Sequence, residues 1–440
     1  MAGMPRSRRR RLLLIAALGL VLLAGAGVAA YALLLRTPGN VSNPAVAFEE
    51  DAPDPEAAPK RDRRVLWPVY GYTEGRTRYL PTDLRPPFRR VWSRGGSKLL
   101  EFQPVLAKQT LFLVTNAGEA VALSARTGTV RWRRRVGRLN ASSPAWSRGR
   151  LFVATLSRRI TSLDARTGRV RWSRDLASRA ESSPLARRGR LYFGSENGTV
   201  YCLRASDGRT VWTHRVGGAV KGALAFAGGR LFFGDYSGEV TALRASDGRP
   251  AWRASTSGRA FGRPGNFYST PAVAYGRVYL GNTDGKVYSF SARTGQLAWS
   301  RATGDYVYAA PAVARAPGTG PTVYIGSYDG RFYALDARSG RTVWTHQAGG
   351  KISGAASVIG GIVYYSNLDR KSTTGLDVRT GRSVFEFGRG AFNPAISDGK
   401  RLYITGYSTQ YAFEPQSTPL TPKQRDRRRE ARSRARRGRG

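Results

Sequence analysis

Cysteine is almost missing from this 440-residue chain, and Cys202 stands alone. One thiol cannot close an intrachain disulfide, and it excludes a cysteine-built zinc or iron–sulfur centre. Cys202 shares its place in the repeat described below with Ala122, Ser162, Ala242, Ser289 and Ala334. That company marks a small, shielded core residue, not a nucleophile. Histidine is nearly as scarce. His214 and His346 each follow a tryptophan by two residues, in units that are not neighbours, so they are not placed to share a metal or a triad. Acidic residues number 29 against 72 lysines and arginines, a net charge of +43. Such a charge favours anionic partners without choosing among lipid headgroups, wall polymer and nucleic acid. Many arginines recur in equivalent turns (Arg126, Arg166, Arg209, Arg249, Arg293, Arg338), as expected of solvated turns.

Long apolar runs are also missing, with one exception. Residues 1–11 form a basic segment expected to be cytoplasmic, and the uncharged run Leu12 to Leu35 follows. Its 24 residues span about 36 Å as a helix, enough for an apolar core of roughly 30 Å. The expectation is a transmembrane anchor over 12–35, with the N-terminus inside and the remainder outside the bacterial cytoplasmic membrane. A cleaved signal peptide is the rival, since Val28-Ala29-Ala30 offers a small-residue cleavage site. Residues 36–64, with five prolines among acidic and small residues, read as an extended linker. A lead-in segment occupies 65–87, and residues 416–440 read as a basic disordered tail. Export disfavours nucleic acid as partner, and the groove-reading helices and single-strand modules are missing.

What is present is a repeat. Trp92, Trp132, Trp172, Trp212, Trp252, Trp299 and Trp344 recur at intervals of 40 to 47 residues, and Phe385 continues the series. Turn pairs such as Thr127-Gly128, Asp207-Gly208 and Ser339-Gly340 precede all but the first. Proline and small apolar residues usually follow, as at Pro104, Pro144, Pro184, Pro271, Pro311 and Pro394. Within one period, Pro184 to Ala186, Arg190 to Gly194, Thr199 to Arg204 and Thr210 to Thr213 are short β-prone runs joined by Asn197-Gly198 and Asp207-Gly208. A four-stranded unit of this size cannot bury both its faces alone, so the units must assemble around an axis. The eighth strand set, from Pro394 to Phe413, lacks its tryptophan strand, while Trp92 has no strands before it. Pairing the two gives an all-β, eight-bladed propeller over 88–415, closed by the Trp92 strand. The tryptophans are expected to dock blade on blade against the Ala and Gly of a turn.

The repeat, for example Ser183-Pro184-Leu185, Leu191-Tyr192-Phe193-Gly194, Asp207-Gly208 and Trp212, resembles the pyrroloquinoline-quinone-like (PQQ-like) β-propeller repeat. That family has a catalytic branch, the quinoprotein dehydrogenases, and a non-catalytic scaffold branch that includes outer-membrane assembly factors of the BamB kind. Trp67-Pro-Val-Tyr-Gly71 through Arg78-Tyr79 also resembles the dehydrogenases' lead-in. The catalytic branch implies a calcium-linked quinone on the axis, a catalytic Asp and often a vicinal cysteine pair, which this chain cannot form. No catalytic, cofactor-binding or metal residue carries over to a position here, and no cofactor is assigned. The scaffold branch implies a monomeric, non-enzymatic propeller that binds envelope or membrane proteins, with anionic lipid or wall polymer as further partners. A PQQ-dependent dehydrogenase acting on an alcohol or sugar is the alternative.

Ligands of such rings sit where loops enter the innermost strands. Three residues before each proline-like position lie Glu101, Ala141, Glu181, Lys221, Tyr268, Tyr308, Ser353 and Ala391, which the register predicts as one ring. Glu181 and Lys221 fall on adjacent blades and are expected to pair. Asn266, Phe267, Tyr268, Tyr306 and Tyr308 lie on longer loops. They either contact a partner or plug the channel mouth. Asp-x-x-Gly turns such as Asp235 to Gly238 read as hairpin turns, not calcium loops.

Overall fold

Thr199–Arg204 shows why these residues form strands. Its alternating Val200, Cys202 and the opposing Tyr201, Leu203 are all buried, so both faces of the strand are covered. It pairs antiparallel with Arg190–Gly194 on one side and Thr210–Arg215 on the other, and Leu185–Arg187 completes the sheet. Gly198 and Gly208 turn the chain at φ of +79° and +76°, a left-handed conformation that glycine adopts without a Cβ clash. The outermost strand carries a bulge: Cys202 faces Trp212 and Leu203 faces Thr210, so Val211 drops out of the ladder. The same bulge recurs at each tryptophan position from Trp132 to Trp344 and at Phe385.

The computed structural model describes residues 17–27, 39–50, 67–256 and 265–416. Among these residues there are eight sheets, each built on four antiparallel strands. Seven blades run in chain order over 105–135, 145–175, 185–215, 225–255, 272–302, 312–347 and 357–387. In the eighth, Phe88–Gly95 pairs with Thr409–Pro415 and sets Trp92 opposite Ala412, which is the closure the repeat predicts.

The tryptophans lock neighbouring blades. Each indole N–H donates to the carbonyl of the turn residue on the following blade: Ala125, Ala165, Ala205, Ala245, Ala292, Ala337 and Val378, at 2.9–3.2 Å. The docking turn is therefore not the one that precedes each tryptophan in its own blade. It lies one repeat on. The indole face covers the turn glycine so closely that a Cβ on Gly208 would sit 2.8 Å from the Trp172 ring. Arginines reinforce the joint. Arg94, Arg134 and Arg174, two residues after their tryptophans, donate to the carbonyls of Gly128, Gly168 and Gly208. Arg150, Arg190 and Arg230 reach the next turn from the second strand. These are structural contacts that the solvated-turn reading does not cover.

The lead-in segment threads the axis. Carbonyls of Trp67, Pro68, Glu74, Gly75, Thr77 and Arg78 accept from Leu106, Trp146, Phe226, Val273, Val313 and Val358, the innermost strands of blades 1, 2, 4, 5, 6 and 7. Tyr79–Leu80 then adds a parallel fifth strand beside Ser357–Ile359. Each innermost strand of a propeller has an unpaired inner edge, and here one short segment satisfies most of them.

Residues 17–27 form a helix, and the rest of the 12–35 run lies outside the described residues. Among the described residues no helix is long and apolar enough to cross a membrane. Within the segment read as a linker, residues 39–50 are extended but not free. Val41–Ser42 pairs with the outer strand Leu297–Ala302 of blade 5. Arg277 donates to the carbonyls of Val46 and Ala47, and Glu50 bridges Arg315 and Arg338 at 2.9 and 2.6 Å. The basic tail beyond Gln416 lies outside the described residues.

Candidate functional site

At one end of the axis the innermost loops surround a cavity of about 280 Å³. The predicted ring comes together in part. Glu101, Tyr268, Tyr308 and Ser353 line the cavity. Ala141 and Ala391 are buried and too small to reach far. Glu181 and Lys221 pair at 2.9 Å, with Glu196 at 3.7 Å from the same ammonium group. Burial pushes the Glu181 carboxyl up, and the Lys221 bond opposes that shift.

The longer loops divide between a blade joint and the cavity wall. Phe267 is fully buried in the joint between blades 4 and 5, edge-on to Tyr288. Asn266 is tied down, its N–H donating to Thr283 Oγ1 at 2.7 Å. Tyr268 and Tyr308 form the wall, edge to face at 5.8 Å, and Tyr306 is the exposed one. The floor comes from elsewhere: Tyr70, on the lead-in segment, lines the cavity. Beneath it lie Arg76 and Arg78, both fully buried. Arg76 donates to the carbonyls of Leu224, Tyr70 and Ser183. Burial, with Arg78 alongside, lowers the Arg76 guanidinium to about 9. Arg78 donates to the carbonyls of Arg76 and Pro311 and lies 4.8 Å over the Tyr70 ring, and burial lowers its guanidinium too.

Two further wall residues, Tyr236 and Tyr328, escape the sequence reading. Both sit second in a Ser/Asp-x-x-Gly hairpin turn, where other blades carry Glu196 or Leu368. Aligning those turns gives a second ring above the first, and that was the available signal. Tyr308 meets Tyr328 at 4.9 Å with the rings tilted by 53°, and Tyr236 approaches Tyr268 at 6.5 Å, so the aromatic wall is continuous. Burial raises all four phenols above their ordinary value of 10, at which they are already neutral near pH 7. Lys221 and Lys351 lie 5.2 and 5.7 Å over the faces of Tyr236 and Tyr328.

The cavity holds few groups fit for chemistry. Glu101 accepts from Asn116 at 3.1 Å, and burial raises its carboxyl. Asn393 donates to the carbonyls of Leu100 and Glu101. Calcium takes six or more oxygen ligands, and a quinone linked to it would itself supply some of them. The wall supplies one carboxylate and one amide, and no group of three or more His, Cys, Asp or Glu among the described residues is spaced to hold a metal. Elsewhere, the Asp235 turn is the hairpin turn expected: Oδ1 accepts from Ser237 N and Glu239 N. His214 and His346 stand apart on blades 3 and 6, one beside Arg253 and the other near Tyr365, and burial lowers both. Cys202 is fully buried and burial pushes its thiol up to about 11.

The family model for the outer membrane protein assembly factor BamB matches residues 60–187, 117–218, 179–387 and 309–416. The chain belongs to this family of PQQ-like repeat propellers. No curated protein matches it in sequence. Among solved structures, BamB from Moraxella catarrhalis superposes with a TM-score of 0.62 at 19% identity, covering 74% of this chain and 99% of that one. The quinohemoprotein alcohol dehydrogenase ADHIIG from Pseudomonas putida HK5 gives 0.68 at 14% identity, covering 82% of each chain. A europium-containing methanol dehydrogenase gives 0.68 at 15%, covering 80% and 98%. At these identities the likeness is one of fold, shared by enzymes and assembly factors alike.

Proposed function

We propose that this BamB-family propeller is a non-catalytic binding protein of the cell envelope. It offers the aromatic mouth of its axial cavity to a segment of another envelope protein. The observation that carries this reading is the state of the cavity's polar groups. Glu101 is held by Asn116 and Asn393 by two carbonyls, and outside the lining Glu181 is held by Lys221, while the tyrosines of the wall remain available as contact area. Large rigid aromatics on loops fixed by a stiff ring suit contact better than turnover. The basic segment and the 12–35 apolar run support an N-terminal anchor with the propeller outside the cytoplasm.

The test places a photo-crosslinking amino acid at Tyr306, on the exposed rim of the mouth, and at Arg209, on the outer circumference, in native membranes. A protein adduct of defined mass at Tyr306, absent at Arg209 and lost when Tyr308→Ala and Tyr236→Ala are added, is the expected result. Adducts at the circumference alone would move the binding face elsewhere. The dehydrogenase neighbours motivate one rival, a quinone-dependent oxidation of an alcohol or sugar. Visible absorption on adding quinone and calcium, with dye reduction by an alcohol or sugar, would establish that rival instead.

A further inference from the structure

The excess positive charge is not spread evenly around the ring. From Arg126 to Arg179 the chain holds fifteen arginines and two aspartates, whereas 280–347 holds seven basic residues and four acidic ones. The first stretch is the outer part of blade 1 and nearly all of blade 2. Between those two blades runs an open groove of about 880 Å³, with Arg135, Arg138 and Arg159 along it and Ser157, Thr161 and Ser173 among its lining residues. Arg159 is paired with Asp175 at 2.7 Å, but among the described residues Arg135 and Arg138 have no acidic partner within ion-pair distance.

Sequence explains the room. Thr161 is the third residue of the third strand of blade 2, paired with Ser173 on the outer strand. The same place is filled by Tyr201 in blade 3, Tyr288 in blade 5 and Tyr333 in blade 6, all buried. A hydroxyl pair, Thr161 and Ser173 at 3.2 Å, stands where blades 3, 5 and 6 carry a phenol ring, and blades 1 and 4 likewise carry a smaller residue there, Val121 and Thr241. Ser157 Oγ accepts from the backbone N–H of Arg138 and Leu139, and so fixes the loop that carries Arg138.

We infer that this groove binds an extended anionic polymer with phosphodiester links and no bases, of the polyol phosphate kind. Three guanidiniums and a row of hydroxyls match phosphate oxygens and sugar-like hydroxyls. No aromatic lines the groove, so it lacks the stacking platform that single-stranded nucleic acid uses. Blades 1 and 2 lie across the ring from blade 5, where residues 39–50 bring the chain onto the propeller. A membrane surface at that entry point is thus not the nearest occupant. The inference rests on the extracytoplasmic reading for its setting, but its test does not, because binding is measured in solution.

The experiment titrates fluorescent poly(glycerol phosphate) into the full chain in detergent at about 0.15 M salt, with a single-stranded DNA of equal charge in parallel. Expected is saturable binding that Arg135→Glu with Arg138→Glu weakens at least tenfold. The slope of log affinity against log salt should also fall, by about 1.5. Arg209→Glu with Arg249→Glu, the same change in net charge on exposed turns, should weaken binding less than twofold. Thr161→Tyr should block the groove with no change of charge, which guards against a folding artefact. Equal losses from both charge-reversal pairs would reduce the binding to diffuse attraction and overturn the proposal. So would an absence of binding, or DNA binding as tightly through the same two arginines.

Discussion

The indole N–H of Trp92 donates to the carbonyl of Ala125 at 3.1 Å, and this bond joins the last blade to the first. The two residues are 33 positions apart in sequence, yet they sit at the seam where both chain ends of the propeller meet. The Trp92 ring also covers Gly128, so a Cβ there would lie 2.6 Å away. Trp92→Phe keeps an aromatic side chain but loses the bond and part of the ring packing, an expected cost of about 1–2 kcal/mol. Gly128→Ala should cost more, about 2–3 kcal/mol, because its φ of +70° strains an L residue and the added methyl meets the indole. Urea unfolding of the two variants checks the order.

The axial arginines should behave differently from each other. Arg76 makes hydrogen bonds to three carbonyls of separate segments, while Nε and Nη2 of Arg78 are buried with no hydrogen-bond partner among the described residues. Arg76→Ala should therefore destabilise by about 3–5 kcal/mol, leaving carbonyls unpaired at the centre of the ring. Arg78→Met, of similar length and apolar, should cost less than half as much. Equal effects in thermal unfolding would contradict the asymmetry.

Glu101 gives a pH-dependent prediction. Burial raises its carboxyl above the ordinary value of 4.5, so the folded protein holds this proton more tightly than the unfolded chain does. Its stabilising contribution is complete below the unfolded value and is lost as pH rises through the folded one. Glu101→Gln, which can still accept from Asn116, should raise the melting temperature by about 1–2 °C at pH 7.5. Near pH 4 it should change nothing. A gain at pH 4 equal to that at pH 7.5 would show that the effect is not protonic.

Cys202 should be inert in the native state. It is fully buried, its thiol is pushed up to about 11, and the third strands of blades 1, 4 and 6 carry alanine at its place. A thiol reagent should label it only after unfolding, and Cys202→Ala should cost about 1 kcal/mol or less. Rapid labelling of the folded protein would refute this.

Much of the fold is legible in the sequence. The spacing of Trp92 to Trp344 and the missing tryptophan strand after Phe413 define eight blades and their closure, because each four-stranded unit has to bury its faces on neighbours. Placement of Glu101, Tyr268 and Tyr308 on one ring followed from the same register, since equivalent positions of a closed repeat face the same axis. The pairing of Glu181 with Lys221 followed too. Tyr236 and Tyr328 escape that reading because their turn position varies from blade to blade, as Asn116, Leu156, Glu196, Thr283 and Leu368 show. The role of Arg94, Arg134 and Arg174 was missed because one-dimensional spacing shows a repeated arginine without showing which blade it touches.

Sequence alone thus determined the repeat, its closure and the residue types at each layer, since those depend on local periodicity and on the need to cover apolar faces. Only the tertiary structure decided that residues 67–80 fill the axis, that residues 39–50 lie along blades 5 and 6, and that Arg135, Arg138 and Arg159 meet across a groove. Those outcomes depend on which unpaired edges and open spaces lie within reach once the ring has closed, and no local pattern encodes that distance.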